Sequence, residues 1–546
     1  MDDWVTKGFK GFNYHNDFLV PVRLTWFQKH RIISIFKRVV FIPFCLIQFQ
    51  MSLNKIGEKG KMAIEKQIFI YTVKLKTNHY HHEQFAKRFR MADDIYKTTL
   101  REILKRNRKM KKDPRYKKAY QLPKGRERNA ILKELAIDYA MRGNFEFSKF
   151  ANDYRNARNY DTYLPSDVAI KLGARAWSAF EKVMFAKGAH RVNLHGELLS
   201  FEGMHDSGLT IRKGQFIVGT RAVKVSCPVI YESDEYEETV LRAKTKYNRL
   251  VRRFENGKWN YYAQMVLEGE LPIKHASDLT GVVGIDIGTS TVALSSHYQT
   301  ELEELAKGIE IDEPEVRRLS RKLDRQRRAN NPHKFNDDGT IKRGVREPWN
   351  DSKGYLETKT KLHEIKRKQS ERRKLAHKTL ANKIVKMGSS FVVEQMSFKG
   401  LAARAKETTV NEETGRIRSK KRFGATIAHR APSMLIEQIR YKANYQGKAF
   451  IKANTFEVKA SQLDHTTGEY TKVSLDTRAK EIGGHLVQRD LYSAFLLQHV
   501  KLDGETVDLD ACSEDFDIFL RNQKETMENL RTTLSSTGQS KFNQQS

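Results

Sequence analysis

The hydrophobic pattern first follows a period of two. From Ile68 to Lys76, Phe69, Tyr71, Val73 and Leu75 fall on one face while the opposite face grows polar, which predicts a half-buried strand. Residues from about 82 to 190 change to helical patterning studded with Lys and Arg, as in Tyr96 to Lys112. Asn78 to His82 reads as a loop before that helix. Strand patterning returns between about 191 and 270, for example Gly214 to Val218 and Trp259 to Leu267, with Gly and Asn at the turns. Segments 63–80 and 191–275 therefore predict a β-rich module, interrupted by a helical lobe over 81–190.

From Gly281 the texture changes. Val282 to Ala293 predicts a buried strand, a tight Gly288-Thr-Ser turn and a second, antiparallel strand. Two basic helical stretches follow, Val316 to Arg328 and Tyr355 to Met387; the second carries only a sparse apolar stripe of Leu362, Ile365, Leu380, Ile384 and Met387. A short apolar run, Phe391 to Val393, ends at Glu394, and residues 401–431 are basic and loop-like. Pro432 opens a helix with Met434, Leu435 and Ile439 inward, Gly447 ends it, and Lys448 to Lys452 reads as another strand. From 523 to 546 the Gln, Asn, Ser and Thr content predicts a disordered tail.

Composition adds a partner. Among 546 residues, 99 Lys and Arg give a formal net charge of +33, a charge that steers a protein toward polyanions, nucleic acid first. The two basic helices then read as a positive wall along a nucleic-acid channel. The first offers Arg317, Arg318, Arg321, Lys322, Arg325, Arg327 and Arg328. The second offers Lys366, Arg367, Arg372 and Arg373, and the loop after Glu394 adds Lys420, Lys421 and Arg422. Three cysteines, Cys45, Cys227 and Cys512, stand too far apart for a zinc knuckle, and a reducing cytoplasm, at the nucleoid, fits better than a disulfide framework. The apolar run Val39 to Phe49 is too short to span a bilayer, so no membrane partner is expected. Residues 1–62 read as an N-terminal extension, with Met51 and Met62 as alternative starts.

Candidate chemistry lies in three carboxylates. Asp286 ends the apolar run Val282-Val-Gly-Ile, Glu394 ends Phe391-Val-Val, and Asp490 opens the helix-like Arg489 to Phe495. Converging three carboxylates is costly unless a divalent cation neutralises them, and an all-oxygen set matches Mg²⁺. Two such ions held about 4 Å apart would serve phosphodiester hydrolysis. In an RNase H-like fold the acids sit on a first strand, at the end of a later parallel strand and on a nearby helix, which is their order here.

Val282 to Gly288, Leu319-Ser-Arg-Lys-Leu, Phe391 to Phe398, Ala460-Ser-Gln and Arg489 to Ala494 resemble the TnpB family of insertion-sequence proteins, relatives of type V CRISPR effectors. The resemblance covers 281–500 by motif and 63–270 by layout only. It implies an α/β RNase H-like (RuvC) nuclease domain over 281–510, preceded by a β-barrel-like wedge domain with an inserted helical recognition lobe. It implies RNA-guided, Mg²⁺-dependent DNA cleavage, with guide RNA and target DNA as partners and a monomer favoured. Asp286, Glu394 and Asp490 fall where that family carries its catalytic acids. The family's four-cysteine zinc ribbon is missing: over 461–484 its positions hold Asp464, Thr467, Lys480 and Gly483, so no zinc is expected. His465 and His485 offer at most two nitrogen ligands there.

Two other readings compete. Gly284 to Thr291 also resembles the first phosphate hairpin of sugar kinases and actin-like ATPases, though no Gly-rich adenosine motif follows. A nuclease-inactive, guide-dependent DNA-binding protein is the other, since a lost ribbon can accompany lost cleavage.

Overall fold

The computed structural model describes residues 68–185, 191–232, 234–270, 277, 279–345, 347–404, 407, 410, 415, 423–472 and 477–537. Residues 70–267 and 271–546 fall in one compact unit; residues 1–69 with 268–270 form another, of which only strand-end residues are described.

Two of the three sheets among the described residues position everything else. Strand β1 (Ile68–Leu75) is followed by helices α1 (His79–Lys112), α2 (Pro114–Gln121), α3 (Arg126–Asp138), α4 (Asn144–Ala157) and α5 (Ser166–Phe185). Then come β2 (Ser200–Met204), β3 (Leu209–Arg212), β4 (Gln215–Gly219), β5 (Lys224–Ile230), α6 (Glu235–Leu241), β6 (Lys244–Glu255) and β7 (Lys258–Glu268). These strands make one seven-stranded sheet in the order β2-β6-β7-β1-β5-β4-β3. Phe69, Val73 and Leu75 are buried as the period-two pattern requires, with Tyr71 half-buried and hydrogen-bonded to Glu237.

The helices inserted between β1 and β2 pack through aromatic residues. Phe147 and Trp177 stack at 5.3 Å, and α5 approaches α4 so closely at Gly173 that a Cβ there would meet the Phe147 carbonyl at 2.3 Å. Asn78 to His82 departs from the predicted loop. The Asn78 side chain accepts from the His81 backbone N–H and the His81 ring accepts from Asn78, a reciprocal cap that starts α1 at His79.

The second sheet is five-stranded, ordered β10-β9-β8-β11-β12. Its strands are β8 (Val282–Ile287), β9 (Thr291–Ser295), β10 (Thr300–Glu304), β11 (Ser390–Glu394) and β12 (Ala449–Ala453). The first three form an antiparallel meander and the last two run parallel to β8, so the α/β expectation is met. Helices α7 (Glu313–Asn330) and α8 (Lys353–Ile384) lie between β10 and β11. Within the basic stretch 401–431, expected as loop, residues Gly424–Arg430 form a short helix, α9, and α10 (Pro432–Tyr445) follows it. A hairpin of β13 (Ala479–Ile482) and β14 (His485–Gln488) leads into α11 (Arg489–Gln498) and α12 (Leu509–Thr537).

Alternation along each strand divides the core in two. Val283, Ile285, Phe391 and Val393 pack on one face with Ile384, Leu435 and Ile439 from α8 and α10. Ala293, Val392 and Ala453 pack on the other with Leu491, Ala494 and Phe495 of α11 and Phe516 and Phe519 of α12. That second face corrects the tail: residues 523–537 continue α12 rather than lying disordered. Gln523 is buried and bonds to the Leu486 carbonyl, and Thr526 bonds to Thr300. These polar residues continue, at helical spacing, the buried line begun by Phe516 and Phe519. Residues 538–546 and the predicted extension 1–62, with its apolar run, lie outside the described residues. Among those described, no helix is long and apolar enough to cross a membrane. Cys227 and Cys512 are buried free thiols, and burial pushes their ionisation up to about 11 and about 12.

Candidate active site

Three local rules bring the predicted acids together. Strands β8 and β11 pair in parallel with Val393 opposite Ile285, and continuing that register by one residue sets Glu394 beside Asp286. Residues opposite each other in a parallel pair point to the same face, and Gly284 shares it with Asp286 because side chains alternate. On that face lies α11. A Cβ at Gly284 would stand 1.9 Å from the Ala494 carbonyl oxygen and 2.4 Å from the Gln498 amide, so glycine is what lets the helix rest directly on the strand. Asp490 precedes Ala494 by four residues, one helical turn, and Asp286 follows Gly284 by two, a similar rise along the strand. The helix is further fixed by Ser295, whose hydroxyl donates to Gln498 Oε1 at 2.8 Å. Its first turn is capped by Gln488, whose side chain accepts from the Leu491 N–H at 2.6 Å. Asp490 thus lies within that first turn, not at the cap.

Burial, then the charges of Glu394 and Asp490, hold the Asp286 carboxyl well above the usual carboxylate range, against a smaller opposing pull from Arg489. Burial also raises Glu394. Asp490 is engaged by two arginines: Arg489 donates to its Oδ1 at 3.0 Å and Arg478 to its Oδ2 at 3.4 Å. Among the described residues, no group of three or more His, Cys, Asp or Glu side chains is disposed to hold a metal ion as it stands. The chemistry of the donor set still fits a hard divalent cation. It offers only oxygen, and its two strand carboxylates are desolvated and mutually repelled, a cost that a cation relieves.

A pH signature follows. Because Asp286 and Glu394 titrate above their unfolded values, the folded chain binds more protons than the unfolded one in the window just above the ordinary carboxylate range. Stability is therefore lost as pH rises through that window, and a bound cation offsets the loss. The expected result is a Mg²⁺-induced rise in melting temperature that is larger at about pH 8 than at about pH 5. Asp286→Asn should raise the melting temperature of the metal-free chain by roughly 2 °C or more and remove most of the Mg²⁺ response. Thermal denaturation with and without Mg²⁺ measures both.

The predicted basic wall divides into bracing residues and exposed ones. Arg318 pairs with Glu315 at 2.6 and 2.7 Å, and Arg367 pairs with Glu364 at 2.9 and 2.7 Å. Arg372 binds Asp312, and Arg373 donates to the Ala428 and His429 carbonyls, closing the end of α9. Arg327 lies 3.7 Å over Trp349, and Arg328 pairs with Asp324. Arg317 makes only a long contact with Glu313, at 3.7 Å. Arg321, Lys322, Arg325 and Lys366 are exposed and make no ion pair among the described residues. Lys420, Lys421 and Arg422 lie outside the described residues.

The cysteine-free stretch is held by other contacts. Lys480, on β13, donates to the Gln462 and Leu463 carbonyls, both at 3.2 Å, and so ties the hairpin to the preceding turn. Asp464 caps that turn by accepting from the Thr466 amide and hydroxyl. The His465 ring is buried against Phe516 and hydrogen-bonds the Tyr492 hydroxyl at 2.8 Å, whereas His485 packs edge-on to Phe516. Replacing Lys480 by Met should cost about 1–2 kcal/mol, the ammonium being only partly buried, and raise proteolytic nicking over 461–488. Chelator treatment should not reproduce that effect; limited proteolysis with each agent decides it.

Sequence reasoning missed Gly284 and Gln498 as positioning residues. The Gly in the strand was a signal, since Gly in a buried strand marks a close backbone approach. It also missed the groove lined by Gln395, Asn454 and Phe456 beyond the end of β11.

No protein-family model and no curated protein matches the chain. Solved structures similar to it include a Cas12f1–sgRNA–target DNA complex, at 11% identity and a TM-score of 0.40, covering 79% of this chain and 98% of that one. The mini-RNA-guided endonuclease CRISPR-Cas phi3 is similar at 10% identity and a TM-score of 0.28, over 54% of this chain and 58% of that one. A Cas12i1 R-loop complex before target DNA cleavage is similar at 11% identity and a TM-score of 0.25, over 80% and 61%. The structural neighbours of the chain are thus Cas12f, Cas-phi and Cas12i proteins.

Proposed function

We propose that the chain is an RNA-guided, Mg²⁺-dependent DNA endonuclease of the TnpB type, acting in the cytoplasm on target DNA chosen by a guide RNA. The observation that carries this reading is the convergence of Asp286 and Glu394, side by side on parallel strands, beneath the helix bearing Asp490. The similar solved structure with sgRNA and target DNA supports the choice of partners, as does the net charge of +33. The seven-stranded sheet and its inserted helices are read as wedge domain and recognition lobe, which hold RNA and read the heteroduplex by its shape.

Asp286, Glu394 and Asp490 would hold two Mg²⁺ ions, which when bound activate water and stabilise the leaving oxygen. Asp286 and Glu394, fixed by strand register, set the position of the reacting phosphate. Arg489 offsets the negative charge gathered around Asp286. Arg321, Lys322, Arg325 and Lys366 present charge to phosphates passing along α7 and α8.

The pairing of Asp490 with Arg489 and Arg478 favours a second reading, guide-dependent DNA binding without cleavage. Both readings require a bound RNA, so sequencing the RNA that copurifies with the chain tests their shared premise. One dominant transcript is expected; a population drawn evenly from cellular RNA would remove the guide. ATP turnover by the RNA-free chain would instead support the kinase-like reading of Gly284 to Thr291.

A further inference from the structure

Beyond the ends of β11 and β12 lies a groove of about 660 Å³ whose walls include Gln395, Lys452, Asn454, Phe456, Asp503 and Glu505. Its wall begins at Gln395, the residue that follows Glu394 in the chain. Phe456 is 81% exposed. The single helical turn that carries it, Thr455–Val458, is nonetheless firmly braced. Asn454 Oδ1 accepts from the Phe456 amide at 3.1 Å, and the Thr455 hydroxyl donates to the Gln395 carbonyl at 2.7 Å. The Asn454 amide donates to the Gly504 carbonyl at 2.7 Å, and Val458 is buried. A large apolar ring is therefore held in solvent on a fixed backbone, three residues beyond the end of β12.

The charges lining the groove say what fits. Among the described residues that line it, Lys452 is the one cation against Asp503 and Glu505, so the groove is a poor phosphate cradle despite the basic chain around it. Asp503 is committed to the turn, accepting from the Glu505 and Thr506 amides at 2.8 and 3.1 Å. An uncharged, flat group with hydrogen-bonding edges suits these walls. Phe456 offers it a face, and the amide side chains of Gln395 and Asn454 offer it an edge.

Resting on the nuclease reading and extending it to the substrate, we propose that this groove is a nucleobase subsite. Phe456 stacks on an unpaired base of the strand whose neighbouring phosphate reaches Asp286 and Glu394. A base still paired and stacked in a duplex cannot present its face to Phe456 in this way, so the base that enters the groove is unpaired.

The test uses the full chain in EDTA and a single-stranded DNA of about 15 nucleotides bearing several 2-aminopurines, a length suited to one binding channel. The wild-type chain should quench the 2-aminopurine fluorescence. Phe456→Ala should lose that quenching and bind about 5- to 140-fold more weakly, the equivalent of about 1–3 kcal/mol of base stacking at 1.4 kcal/mol per tenfold. Phe456→Trp should restore both, and unchanged melting temperatures would show that the variants fold. Equal binding and quenching by wild type and Phe456→Ala would overturn the proposal, as would a wild-type chain that quenches nothing. So would a Phe456→Ala effect confined to self-association on size exclusion, which would make the ring a protein contact. The two readings fail separately. Phe456-dependent quenching without guided cleavage sinks only the nuclease reading, and guided cleavage with Phe456-independent binding sinks only the subsite.

Discussion

Asp286→Ala should abolish guided DNA cleavage, by at least roughly a thousandfold, while leaving binding of RNA and matched DNA nearly unchanged. Burial raises Asp286 first, then the charges of Glu394 and Asp490, a cost that a bound cation would relieve. Under the proposed function, removing Asp286 takes away a metal ligand and, with it, the repulsion it shares with Glu394 and Asp490. The variant should therefore be no less stable than wild type without metal, which separates a chemical defect from a folding one. Cleavage assays on the guided complex, paired with filter binding and thermal denaturation, read both effects. A variant that still cuts would place the chemistry elsewhere.

Gly284→Ala should be nearly as damaging to cleavage, and costly to the fold as well. The new methyl group would meet main-chain atoms of Ala494 and Gln498, which cannot turn aside as a flexible side chain could. Helix α11 must lift, at a cost of about 3 kcal/mol or more. Its displacement carries Asp490 away from Asp286, and a misplacement of about 1 Å can cost about a hundredfold in rate. Because the obstacle is a carbonyl oxygen, Ala494→Gly should not rescue the variant. Melting temperature and single-turnover cleavage of the single and double variants measure this. Wild-type cleavage by Gly284→Ala would show that the packing of α11 on β8 does not position the third carboxylate.

What the sequence made legible were the features written in local periodicity. The run Val282 to Ile287, its turn and the return strand were readable because one apolar stretch and one glycine turn specify a hairpin, and β8 and β9 pair in just that way. The acids could be read as strand-end and helix-start residues for the same reason. Their closeness could not, because it depends on Val393 facing Ile285 and on Ala494 touching Gly284, contacts between segments about a hundred or two hundred residues apart. The basic helices were legible as helices but not in the division of labour among their arginines. Arg373 and Arg318 look alike in sequence, yet one closes a helix end through two carbonyls and the other pairs with Glu315 on its own helix.

Two misreadings have physical causes. Asn78 to His82 looked like a loop because polar residues crowd there, but Asn78 and His81 cap each other and start the helix. The polar tail beyond 523 looked disordered by composition, but Phe516 and Phe519 anchor α12 to the core beneath the sheet, Gln523 bonds to the β14 strand and Thr526 to β10. Composition weighs residues one at a time; a helix is ordered by the stripe it buries.

Under the proposed function, Asp286 and Glu394 on the sheet and Asp490 on α11 cut DNA chosen by a bound RNA. The most direct measurement incubates the chain with its copurified RNA and a duplex containing the complementary segment, in Mg²⁺ or in EDTA. Cleavage at a fixed distance from the matched segment in Mg²⁺, none in EDTA and none on an unmatched duplex is the predicted result. A matched duplex that is bound but left intact in Mg²⁺ would contradict the account.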